Sequence, residues 1–231
     1  MDITGLPPRL AAIAAMVPEG TRLADVGTDH GLVPIRLLLE GRIRSAVASD
    51  IRMGPLSRAK ANAAAHGAEN IRFVLCDGLT DIFPEEAETV VIAGMGGETI
   101  AAILEAAPWA RQGRTLLLQP MTHPELLRSS LAAMSLRIEE ERLVRDSGKI
   151  YTVIKALPGE PLALSAAERY VGAYASISGQ PLFSAYLAQW VQKLRPAIEG
   201  LSRSSRPEDA ARLKELRTVY EQLRKMRDRR G

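Results

Sequence analysis

Apolar positions change their rhythm along this chain. Through the first two thirds, short β-branched runs alternate with stretches of helical spacing. The runs at 22–26, 44–50, 71–76, 89–93 and 115–119 predict strands. Between them, 31–40, 53–66, 98–107 and 123–134 carry helical patterns, and Gly67 supplies a stop signal after the alanine-rich stretch ending at His66. An entry helix is expected over 6–17, with Pro7 and Pro8 at its start, where a missing N–H costs little. Two further strands, near 136–144 and 149–157, flank Asp146-Ser147-Gly148, a hairpin signal.

Alternating β and α units with apolar strands imply a parallel sheet covered on both faces. A closing hairpin places an antiparallel strand at or near one edge. Seven strands with that ending match the class I methyltransferase variant of the doubly wound, Rossmann-like α/β fold. A plain dinucleotide-binding sheet more often continues with parallel units. After Leu157-Pro158-Gly159-Glu160-Pro161 the β-branched runs cease. Leu187, Leu194 and Leu201 recur every seven residues, and Leu213, Leu216, Tyr220 and Leu223 repeat the 3-4-3 spacing beyond a turn from Ser202 to Pro207. Two antiparallel helices in a coiled-coil-like hairpin are expected; both stretches are short for an intermolecular coiled coil. The expected organisation is a catalytic domain over 1–157 and a helical domain over 158–231.

Composition narrows the class. Of 231 residues, 46% are apolar and 25% charged, the balance of a globular protein. No apolar run reaches the roughly 20 residues of a membrane span. Met1-Asp2-Ile3-Thr4 resembles no secretory leader, and a single cysteine, Cys76, fits a reducing compartment. A cytoplasmic, metal-free, monomeric protein is expected. Charge is uneven: residues 1–157 carry 17 Lys+Arg against 19 Asp+Glu, whereas 158–231 carry 13 against 8. The C-terminal part is therefore the better candidate for an anionic partner.

Ligands of open α/β sheets sit at the carboxyl ends of the strands. Here those ends read Asp25-Val26-Gly27-Thr28-Asp29-His30-Gly31, Asp50-Ile51, Asp77-Gly78, Ala93-Gly94-Met95-Gly96-Gly97 and Gln119-Pro120. Gly27 permits close backbone approach, and a helix starting near Gly31 points N–H groups at a ligand. The first loop lacks G-x-G-x-x-G, and Asp29 stands where a second glycine is expected. An acid there repels a pyrophosphate, which disfavours a nicotinamide cofactor. It suits S-adenosylmethionine, whose sulfonium and ammonium are positive. Asp50 is placed for ribose hydroxyls and Asp77 for an adenine amino group; any one of these acids could instead cap the helix that follows it. Three glycines in four residues at Gly94–Gly97 leave backbone bare for a flat base, or else make a tight strand-to-helix turn.

Ala24-Asp25-Val26-Gly27-Thr28-Asp29-His30 with Val33-Pro34, Val91-Ile92-Ala93-Gly94-Met95-Gly96-Gly97, Leu117-Leu118-Gln119-Pro120 and Lys149-Ile150-Tyr151 together resemble the bacterial TrmK family of tRNA (adenine(22)-N(1))-methyltransferases. The resemblance spans roughly residues 6–157. It implies S-adenosylmethionine as methyl donor and a D-arm adenine of tRNA as acceptor. Carried onto matching positions, it places Asp25, Gly27, Thr28, His30 and Ala93 against the donor, Asp50-Ile51 at its ribose and Asp77-Gly78 at its adenine. Asp29, Gly94, Met95 and Gly96 face the acceptor base, with Gln119, Pro120 and Tyr151 on the substrate side. Two positions depart from the pattern: Met121 where asparagine often follows Gln-Pro, and Thr152 where an acid frequently follows the tyrosine. The basic tail, with Arg224, Lys225, Arg227, Arg229 and Arg230, is expected to meet the tRNA body. The alternatives are a methyltransferase with a ribosomal RNA, protein or small-molecule acceptor, a nicotinamide oxidoreductase, and a catalytically silent RNA-binding protein.

Overall fold

The computed structural model describes residues 5–229, so the opening Met1–Thr4 segment and Arg230 lie outside the described residues. Seven strands make one sheet: β1 (Thr21–Val26), β2 (Ile43–Asp50), β3 (Ile71–Leu75), β4 (Thr89–Gly96), β5 (Thr115–Thr122), β6 (Leu136–Asp146) and β7 (Lys149–Pro158). Their order is β3-β2-β1-β4-β5-β7-β6. β1 to β5 pair in parallel, and β7 inserts antiparallel between β5 and β6. The order reverses between β1 and β4, which opens a crevice at their carboxyl ends. Ser147 and Gly148, at φ 49° and 78°, turn the β6–β7 hairpin. Such a turn needs positive φ at both central residues.

Helices cover both faces. α1 (Pro8–Met16), α2 (Leu32–Leu39) and α3 (Met53–His66) lie on one side, α4 (Gly97–Ala106) and α5 (Pro124–Ala133) on the other. Successive residues of β4 show the alternation, Val90 and Ile92 packing with α4 and Val91 with α1 and α2. α3 ends where glycine was expected to stop it, with Gly67 left-handed at φ 65°.

β4 differs from its sequence pattern. It continues through Gly94 and Met95 to Gly96 as an irregular strand whose pairing with β5 shifts register on either side of Met95. Glycines weaken a strand without forbidding it, and here they mark a bulge. Beyond β7 come α6 (Ala166–Val171), α7 (Tyr174–Ile177), α8 (Phe183–Ser202) and α9 (Pro207–Asp228). The sequence pattern gave no separate signal for the two short helices. α8 and α9 pack as a hairpin: Leu187, Trp190 and Leu194 meet Leu216, Val219 and Leu223 in one cluster. That cluster includes Ile150 of β7, with Leu143 of β6 packed against it, so the helices rest on the outer strands of the sheet.

Candidate functional site

Two cavities lie side by side along the carboxyl edge of the sheet. The first, of about 540 Å³, opens at the switch in strand order and gathers residues from the ends of β1 to β4. Asp25, Gly27, Thr28, Asp29, His30, Asp50, Ile51, Asp77, Gly78, Ala93, Gly94 and Met95 all line it. Segments scattered over some seventy positions of sequence thus converge as the strand-end argument expects.

Asp25 is buried, and Thr28 Oγ1 donates to its carboxylate at 2.6 Å. Burial pushes the Asp25 carboxyl up to about 6; the Thr28 hydrogen bond opposes this and the nearby Asp50 charge adds to it. A buried carboxylate beside a second acid favours a cationic ligand, whose charge offsets both the burial and the repulsion. Asp50 is also buried, and one carboxylate oxygen accepts from the backbone N–H of Arg52 at 2.9 Å. Gly27 and Thr28 both donate backbone N–H to the Ser49 carbonyl at 2.9 Å, locking the β1 loop to the end of β2. Gly27 sits at φ 71°, and a Cβ there would strike the Met95 thioether methyl. Met95 therefore packs over the bare backbone of Gly27, and the wall between the β1 loop and the glycine turn is one flexible side chain.

Asp29 adopts φ 48°, the left-handed conformation of the glycine whose place it takes. Its side chain is 57% exposed and pairs at 2.8 Å with Arg58, an arginine of α3 that no motif singled out. His30 Nε2 stands 3.6 Å from the same carboxylate. Asp77 is exposed at the rim, and Ile103 of α4 closes over Gly78.

Other expected residues fall elsewhere. Gly96 is the N-cap of α4, beside Thr122, and lines neither cavity. Gln119, expected on the substrate side, is fully buried behind the glycine turn. It accepts from the Gly94 backbone N–H at 3.2 Å and from Arg9 Nη1 at 3.3 Å, which ties β5 to the glycine turn and to α1. Arg9, on α1, lines the first cavity and reaches Asp146 of the β6 end at 3.3 Å. It was missed because 110 positions separate it from Gln119, and no local spacing encodes such a contact. Pro120 and Tyr151 line the second cavity, about 670 Å³, with Met121 and Thr152. Thr152 is buried and hydrogen-bonded to the Tyr186 hydroxyl at 2.9 Å. Arg224, Lys225 and Arg227 are exposed on α9 and line neither cavity. Among the described residues no group of three or more His, Cys, Asp or Glu gathers to hold a metal, and no helix is long and apolar enough to cross a membrane.

Known proteins share this arrangement. The family described as a methyltransferase domain matches residues 6–154. The tRNA (adenine(22)-N(1))-methyltransferase of Bacillus subtilis (strain 168) is 32% identical over 237 aligned positions, covering 99% of each chain. The crystal structure of the B. subtilis m1A22 tRNA methyltransferase TrmK superposes with a TM-score of 0.86 at 30% identity, over 96% of this chain and 99% of that one. A Streptococcus pneumoniae protein solved in complex with S-adenosyl-L-methionine gives 0.79 at 32% identity, over 92% and 98%. Switch-point cavity, closing antiparallel hairpin and full-length similarity agree, and the chain belongs to the TrmK family of methyltransferases.

Proposed function

We propose that this protein transfers a methyl group from S-adenosylmethionine to N1 of an adenine in the D-arm of tRNA, position 22. The observation that carries the reading is the first cavity: two buried carboxylates, Asp25 and Asp50, beside a bare glycine turn at a doubly wound switch point. Its chemistry fits a ligand with positive charge at one end and ribose hydroxyls at the other. When bound, that donor supplies an electrophilic methyl on a sulfonium sulfur.

The chain's own residues do the rest. Asp25 and the Gly27 loop seat the donor's cationic end, Asp50 the ribose, and Asp77-Gly78 the adenine. Adenine N1 carries a free lone pair once unpaired, so no strong base is required. The protein extrudes the base, aligns it and excludes water. Such alignment is worth up to about 7–11 kcal/mol. Asp29 accepts a hydrogen bond from the adenine N6 amino group, and the Arg58 pair fixes where its carboxylate points. Residues 1–157 form the catalytic domain; residues 158–231 form the helical domain, whose Arg224, Lys225 and Arg227 meet the tRNA body. The protein works as a monomer in the cytoplasm.

The deciding experiment incubates the protein with labelled S-adenosylmethionine and unmodified tRNA, then identifies nucleosides by mass spectrometry. Formation of 1-methyladenosine is expected. Asp29→Ala should lower turnover by about 10²-fold or more, the scale of a positioned catalytic contact, with donor affinity nearly unchanged. Equal loss of both would remove the role of Asp29. Donor binding with no methylated nucleoside would redirect the search to another acceptor.

A further inference from the structure

The second cavity is larger than the first and differs in charge. It lies between the β6–β7 hairpin, the end of β5 and the exposed flank of α8. Arg145, Lys149 and Lys193 line it, all exposed, and no aspartate or glutamate does. Most other arginines of the sheet domain are neutralised by a neighbour: Arg22 and Arg44 by Glu88, Arg72 by Glu86, Arg142 by Glu140. Arg145 and Lys149 have no ion pair among the described residues, and the Lys193 ammonium instead sits 4.5 Å from the centre of the Trp190 ring. Three cations without a carboxylate partner round one concavity repel one another and favour a polyanion.

The groove joins the first cavity. In the β4–β5 ladder Met95, which lines the first, pairs with Pro120, which lines the second, and Gly96 pairs with Thr122. Adjacent strands are about 4.8 Å apart, so the glycine turn and the groove floor are immediate neighbours. The Arg9–Asp146 pair makes a second junction, since Arg9 lines the first cavity and Asp146 is the chain neighbour of Arg145, which lines the second. The floor is apolar where Pro120 and the 40%-exposed Met121 form it, and Tyr151 contributes a half-buried ring. Cations on the walls with an apolar, aromatic floor suit a single-stranded nucleic acid, phosphates to the walls and a base face to the floor.

We infer that this groove holds the nucleotides flanking the target adenine, so that the strand is gripped beside the turn that receives the extruded base. The inference rests on the RNA reading of the site. It puts the RNA grip next to the chemistry, nearer than the basic end of α9.

The test measures tRNA affinity against salt for the full chain and for the triple variant Arg145→Gln, Lys149→Gln, Lys193→Gln. A second variant, Lys60→Gln, Arg203→Gln, Lys214→Gln, removes equal charge away from the groove. The groove variant should bind tRNA on the order of 10–100-fold more weakly, with a salt slope shallower by about 2–3, as for three lost phosphate contacts. Its affinity for S-adenosylmethionine and its circular dichroism should match wild type. Unchanged tRNA affinity and slope in the groove variant overturn the inference while leaving the methylation reading intact. Equal weakening in both variants also overturns it, since net charge then suffices. Loss of self-association in place of tRNA affinity assigns the groove to a protein contact instead. Wild type that neither binds nor methylates tRNA overturns the parent reading together with this one.

Discussion

At the scale of single residues, Asp25 is expected to set how the switch-point cavity responds to pH. Its carboxyl is raised from 3.8 to about 6, chiefly by burial. Between those values the folded protein binds more protons than the unfolded chain, so ionising Asp25 removes stability as pH rises from about 4 to 6 and has no further effect above. A cationic ligand reverses the preference, because it requires the charged form. Affinity for S-adenosylmethionine should therefore fall up to about tenfold per pH unit below 6 and level off above it. Asp25→Asn keeps an acceptor for the Thr28 hydroxyl and should flatten that profile, at the cost of weaker binding at pH 7.5. Calorimetric titration of both proteins from pH 5 to 8 checks this. A wild-type profile as flat as the variant's would show that Asp25 does not face the cation.

At the scale of elements, the β4–α4 junction carries the site and shows the limit of local reading. The glycine cluster was legible as unusual, and Asp29 was legible as an acid in a glycine's place. The strand's continuation to Gly96 was not, since it depends on pairing with β5, which lies some twenty positions further along. Local signals with local causes came through: the α3 stop at Gly67 and the hairpin at Ser147-Gly148 both follow from positive φ. Contacts such as Arg58 with Asp29 or Arg9 with Gln119 have long-range causes and left no trace in spacing. Gly97, by contrast, is needed for room alone. A Cβ there would overlap the His123 carbonyl oxygen and stand 3.1 Å from that of Thr122. Backbone cannot rotate away, so Gly97→Ala should cost about 1–3 kcal/mol and lower the melting temperature by several degrees. Gly200→Ala, in α8 with nothing within 4 Å of the added carbon, should raise stability by about 0.5–1 kcal/mol. Thermal melts of the two variants give opposite signs if the crowding at Gly97 is real.

At the scale of the molecule, the helices are fixed to the sheet at a joint with no exposure at all. Arg128 of α5 and Glu141 of β6 are both fully buried and meet at 2.6 Å. The same guanidinium donates to the carbonyls of Arg169 and Tyr170 at the end of α6, at 2.8 and 3.1 Å. Glu141 in turn accepts from the Ala173 backbone N–H at 2.9 Å. Gly172, at φ 104°, leaves space that a Cβ would take from the Glu141 carboxylate. One ion pair thus ties α5 and β6 to the chain entering the helical region. Desolvation makes such a pair a weak source of net stability, but removing one partner strands a buried charge. Arg128→Met should therefore destabilise by about 3–5 kcal/mol, and adding Glu141→Leu should recover part of that loss. Full recovery is not expected, because the α6 carbonyls and the Ala173 N–H still lose their partners. Chemical denaturation of the single and double variants measures both terms. Limited proteolysis locates the effect: cleavage between 158 and 175 should rise sharply in Arg128→Met while the sheet resists. Uniform cleavage along the chain would instead mean that the pair supports the whole core and not the joint.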